Sequence, residues 1–91
     1  NGWVLSWCLN REGEECLEYH VGNSRKWVSV SDIQDSYDEL VRTGIFTRRW
    51  FNTNLDSSSS APCHFTTIGA VFKLLGEAEY GGHRSGIYEQ I

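Results

Sequence analysis

The sequence predicts an α+β fold, with two helices packed on a mostly antiparallel sheet. Three observations carry that expectation. Near the N-terminus, alternating apolar residues flank a short turn that contains Gly13. Two later stretches repeat apolar residues at helical spacing. The final third runs from an apolar helix, stopped by a glycine, into a closing hairpin. The expected order is N-terminal β-hairpin, helix, strand, helix, C-terminal β-hairpin, all in one small domain over residues 1–91.

Trp3 to Val21 reads as the first hairpin. Trp3, Leu5, Trp7 and Leu9 alternate on one strand, and Leu17, Tyr19 and Val21 on the other. The turn Arg11-Glu12-Gly13 suits a three-residue loop with Gly13 at positive φ. That loop sets Trp7 opposite Leu17, Leu5 opposite Tyr19, and Trp3 opposite Val21, all on one apolar face. Cys8 and Cys16 then face each other across the ladder. In this loop class they form a hydrogen-bonded pair whose side chains point apart, so free thiols are expected.

Gly22 to Lys26 reads as a loop. Ser29 caps a helix, and Val28 and Ile33 are spaced as a hydrophobic staple. Ile33, Tyr37, Leu40 and Val41 form its apolar stripe, and Gly44 ends it as a left-handed cap. Residues 45–51 have strand-forming residue types, although Thr47 is also placed to cap a short helix carrying Phe51 and Leu55. Residues 56–62, with four consecutive serines, read as a mobile surface loop. Thr66 or Thr67 caps the second helix, whose stripe is Ile68, Val71, Phe72 and Leu75. Gly81-Gly82 through Ser85 turns the last hairpin. The expected core is Trp3, Leu5, Trp7, Leu17, Tyr19, Ile33, Tyr37, Leu40, Ile68, Val71, Phe72 and Leu75.

Composition narrows the function. With 13% aromatic residues, a small core forms without staples. No apolar run is long enough to span a membrane, and no basic segment followed by an apolar stretch marks a signal peptide. An odd count of three cysteines points to a reducing, cytoplasmic compartment. The net charge is −4, which disfavours broad nucleic-acid binding. It is unevenly spread: residues 1–40 hold eight acidic and three basic residues, and residues 41–91 hold four and five.

Two chemical constellations fail on spacing. Cys16, His20, Cys63 and His64 match no zinc framework, because adjacent ligands in Cys63-His64 are awkward for one tetrahedral ion. Read as a nucleophile and its base, Cys63 and His64 point opposite ways in an extended segment. No metal, cofactor or catalytic residue is assigned, and a small hydrolase built on that pair ranks third.

Arg48-Arg49-Trp50-Phe51 interleaves guanidinium groups with aromatic rings, a combination that grips phosphates and stacks on bases. Lys73, His83 and Arg84 extend the patch. Residues 65–91, through Leu74-Leu75-Gly76-Glu77-Ala78-Glu79-Tyr80 and Gly86-Ile87-Tyr88, resemble the helix and wing that end winged-helix nucleic-acid binders. That resemblance implies groove reading by the helix before the wing. The face of that helix offers little beyond Lys73 for the purpose. The leading expectation is therefore a binding domain that engages a protein partner or its own copy, with Trp27 and Trp50 as interface candidates. Nucleic-acid binding through Arg48, Arg49, Lys73, His83 and Arg84 is the alternative.

Overall fold

The computed structural model describes residues 6–9, 12–55, 61–81 and 86–91. Trp3, Leu5, Arg11, most of the serine-rich loop, His83 and Arg84 lie outside the described residues. The fold is α+β, with two three-stranded antiparallel sheets and three helices among the described residues. The chain divides into two compact units, Asn1–Ile33 and Gln34–Ile91.

The first unit is a meander of β1 (Ser6–Leu9), β2 (Glu15–Val21) and β3 (Ser24–Ser29). Trp7 pairs with Leu17 and Cys8 with Cys16, and Gly13 has φ +80°, as the turn requires. Gly22 to Lys26 is not a loop. Gly22, at φ +59°, and Asn23 make a two-residue turn, and β3 pairs Ser24 with Val21 through Ser29 with Cys16. A glycine at the first central position is what a type II′ hairpin turn requires. This third strand makes β2 the central one, and Cys16, Leu17 and Tyr19 are buried along it. Successive residues face opposite sides of a sheet, so Leu17 and Tyr19 lie on one covered face, while on the other Cys16 is buried and Glu18 and His20 are partly exposed. Trp7 shares a face with Leu17 but is 66% exposed, contrary to its expected place in the core. β1 is an edge strand, so Trp7 has a neighbouring strand on one side where Leu17 has one on each.

Helix α1 (Val30–Thr43) starts as its cap predicts, with Ser29 Oγ accepting from Asp32 N at 3.0 Å. It ends at Gly44, φ +83°, whose N–H donates to Leu40 O at 2.7 Å. Ile33 and Leu40 are buried. Val41 is half-exposed, and Tyr37 is only partly covered, its hydroxyl donating to Glu77 Oε1 at 3.1 Å.

In the second unit, β4 (Ile45–Thr47) stops after three residues and α2 (Arg48–Asn54) begins. The strand expected to reach residue 51 is cut short by Thr47, whose Oγ1 accepts from Trp50 N at 3.0 Å. That bond satisfies a donor that the first helical turn leaves open. Helix α3 (His64–Leu74) begins a turn earlier than its threonines suggest. The bonds His64 N to Ala61 O and Phe65 N to Pro62 O nucleate it, and Thr67 is buried inside it. Its end is a Schellman motif: Gly76 N donates to Lys73 O at 3.0 Å and Glu77 N to Phe72 O at 2.9 Å. The chain turns away there, so Leu74 and Leu75 are exposed and Phe65 takes the place in the buried stripe expected of Leu75.

The second sheet runs β4-β6-β5, with β5 Ala78–Tyr80 and β6 Ile87–Gln90. The sequence expectation of one sheet is thus replaced by two. Phe46 of β4 is fully buried at the centre of an aromatic cluster. Its ring lies 4.9 Å from Phe65, 5.6 Å from Phe72, 6.0 Å from Trp50 and 6.2 Å from Tyr88.

Candidate functional site

The N-terminus of α2, one face of α3 and the β5–β6 hairpin enclose an open groove of about 780 Å³ in the second unit. Arg48, Arg49 and Lys73 line it, together with Phe65, Tyr80 and Tyr88, and no carboxylate does among the described residues. Three of the five nucleic-acid residues expected from sequence are therefore gathered at one site. The other two, His83 and Arg84, lie outside the described residues.

Arg48 is the anchored cation. Its backbone N–H donates to Gly86 O at 2.8 Å, joining the start of α2 to the end of the hairpin turn. Its guanidinium carbon sits 4.6 Å from the centre of the Phe65 ring, and Nη1 donates to Pro62 O at 3.2 Å. Placed over the ring and spending one donor on Pro62, the guanidinium keeps its other N–H groups for an incoming anion. Arg49, next along α2, and Lys73, in the last turn of α3, are exposed. Among the described residues none of these three cations forms an ion pair. Arg25 and Arg42 do, with Glu18 and Glu39 respectively.

The aromatic wall is set by the hairpin register. Tyr80 and Tyr88 are directly opposed, with rings 5.1 Å apart and edge-to-face. The Tyr80 hydroxyl accepts from Gly86 N at 2.9 Å, which ties the ring to the turn. Tyr80 remains 42% exposed, within reach of a ligand in the groove, whereas Phe65 and Tyr88 are buried. Burial raises the pKa of the Tyr88 phenol, Tyr80 adds to the rise, and Arg48 opposes it. Tyr88 therefore stays neutral at physiological pH and adds no negative charge.

Sequence reading missed Phe65, Tyr80 and Tyr88 as groove residues. A signal existed for the tyrosines, since closing the hairpin around Gly81 to Gly86 opposes them. Of the interface candidates, Trp27 is 50% exposed on β3, while Trp50 is half-buried with its ring against Phe46. Cys63 is not extended but helical, at φ −67° and ψ −14°, and His64 is buried in the first turn of α3. Among the described residues no three His, Cys, Asp or Glu side chains gather as metal ligands. No described helix is long and apolar enough to cross a membrane.

Cys8 and Cys16 are free thiols, as expected, but they do not point apart. Their sulfurs approach to 3.0 Å. The chain matches no family model, no curated protein and no solved structure.

Proposed function

We propose that the chain is a binding domain whose second-unit groove takes single-stranded nucleic acid. Phosphates would be held by Arg48, Arg49 and Lys73, and a base would stack on the exposed ring of Tyr80. One observation carries this reading: in a chain of net charge −4, three cations unpaired among the described residues line one groove with no described carboxylate. Local charge outweighs net charge at groove dimensions, because the Debye length is roughly 8 Å at physiological ionic strength. A stacked base on an exposed aromatic contributes about 1–3 kcal/mol whatever its identity, so sequence-tolerant binding follows. The mode differs from winged-helix groove reading, since Lys73 is the only cation that α3 brings to the groove, and the other two come from α2.

The test is a titration of labelled single-stranded DNA and RNA oligonucleotides at several salt concentrations. Affinity should fall as salt rises, with a slope of about 0.7 per phosphate contact. The double substitution Arg49→Ala, Lys73→Ala removes two exposed side chains and should flatten the slope by about 1.4 while leaving the fold intact. Tyr80→Ala should weaken binding at every salt concentration without changing the slope. No binding at low salt, or binding indifferent to the double substitution, would sink the proposal.

A second reading keeps the protein-partner expectation, favoured by one feature of the first unit. Trp7 and Leu9 are each 66% exposed on the same face of the edge strand β1. Exposed large apolar side chains beside a strand edge that pairs with no further strand among the described residues suit strand-to-strand association with a second copy. Sedimentation equilibrium of the wild type against Trp7→Ser separates the readings, since the groove function needs no self-association.

A further inference from the structure

Cys8 and Cys16 are opposed in the β1–β2 register. Directly opposed antiparallel residues have α-carbons about 4.5–5.5 Å apart, inside the window that disulfides need. The side chains of a hydrogen-bonded pair diverge, whereas here the two sulfurs converge to 3.0 Å. Reaching bonding distance requires the sulfurs to close by about 1 Å, within the reach of side-chain rotation alone. The two thiols are also unequal. Cys8 is partly exposed at the sheet edge, while Cys16 is 1% exposed on the central strand and lies 3.5 Å from the Cys8 carbonyl oxygen.

We propose that Cys8 and Cys16 form a reversible dithiol–disulfide site, closed by exchange with a small-molecule disulfide of the glutathione class. The accessible Cys8 thiolate attacks one sulfur of the disulfide, forming a mixed disulfide and releasing one thiolate. Cys16 Sγ then attacks Cys8 Sγ. The Cys8–Cys16 bond forms, the mixed disulfide breaks, and the second small thiolate leaves with the Cys16 proton. The protein loses two protons and two electrons, and one small disulfide gains both and becomes two thiols. An excess of the small thiol runs the same steps backwards. The second step is intramolecular, between sulfurs that already lie 3.0 Å apart, which gives Cys16 a high effective concentration at Cys8. The bond staples the edge strand to the centre of its sheet. The same pair is a bidentate ligand for a trivalent organoarsenical, which condenses with two thiols and releases water.

The sequence supplies its own readout. Trypsin cuts after Arg11 and Arg25, placing Cys8 in fragment 1–11, Cys16 in fragment 12–25 and Cys63 in fragment 50–73. The folded full chain is equilibrated over a series of reduced-to-oxidised glutathione ratios, alkylated and digested. The expected result is a two-hydrogen loss with fragments 1–11 and 12–25 linked, fully reversed by excess reduced glutathione. Cys16→Ser should instead accumulate the mixed disulfide on fragment 1–11. Should that variant fail to fold, Cys8→Ser, altering the more exposed partner, should abolish both the linkage and the one-to-one uptake of phenylarsine oxide. Absence of the linked fragments at every ratio while Cys63 takes up glutathione would overturn the proposal. So would equal phenylarsine oxide uptake by folded Cys8→Ser, or linkage of either fragment to fragment 50–73.

Discussion

Gly69 faces the ring of Tyr88 where α3 packs on β6, and a β-carbon there would overlap that ring. Its conformation is ordinary, so what the position demands is space. Alanine would gain about 1 kcal/mol in helix propensity. It would lose more by driving Tyr88 out of the cluster, since overpacking of a filled core costs roughly 1–3 kcal/mol and at times more. Gly69→Ala should therefore lower stability in urea melts, and adding Tyr88→Leu should recover part of the loss. Cys16 makes a pH prediction. Its thiol is raised from 9.0 to about 11, by burial first and then by the bond and proximity to Cys8, with Glu18 adding a smaller push. Folding thus favours the protonated thiol. The stabilisation is complete below about pH 9 and is lost as pH rises towards about 11, because the unfolded chain releases its proton first. Urea midpoints should fall across that interval in the wild type, and Cys16→Ala should remove that part of the slope.

At the scale of elements, the junction of β4 and α2 rests on one hydroxyl. Thr47→Ala should cost about 1 kcal/mol, the usual value of a helix N-cap, and Thr47→Ser should restore most of it. Phe72 of α3 is buried with edge-on contacts to Phe46 and Tyr37, at 5.6 and 5.8 Å. Phe72→Ala should cost about 3–5 kcal/mol in chemical denaturation. Local signals were legible in the sequence wherever one residue type enforces one geometry. Gly13 set the first register, Ser29 and Gly44 bounded α1, and Thr47 was already a cap candidate. The Gly22-Asn23 turn was equally local and was missed, at the cost of a strand. Burial was less legible, because it depends on neighbours that the alternation does not specify. Trp7 and Leu17 read alike along their strands, and only the third strand separates an edge position from a central one.

At the scale of the whole chain, the groove draws on α2, α3 and both strands of the last hairpin. Arg48 and Arg49 stood out because they are adjacent in sequence. Tyr80 and Tyr88 did not, because only the closed hairpin makes them neighbours. The same holds for Cys8 and Cys16: their register was legible, but the rotamers that bring the sulfurs together were not.

The placing of the indoles gives the molecule two distinguishable optical reporters. Trp3, Trp7 and Trp27 fall within Asn1–Ile33, and Trp50 is the sole tryptophan of Gln34–Ile91. Trp7 and Trp27 are well exposed and should emit at long wavelength, whereas Trp50, held edge-on against Phe46, should emit further to the blue. A chain with Trp3, Trp7 and Trp27 replaced by Phe would glow from the aromatic cluster alone. Its red shift on heating would time the melting of that unit, and Trp50→Phe would time the other. Coincident transitions would mark one cooperative molecule, and separated ones two.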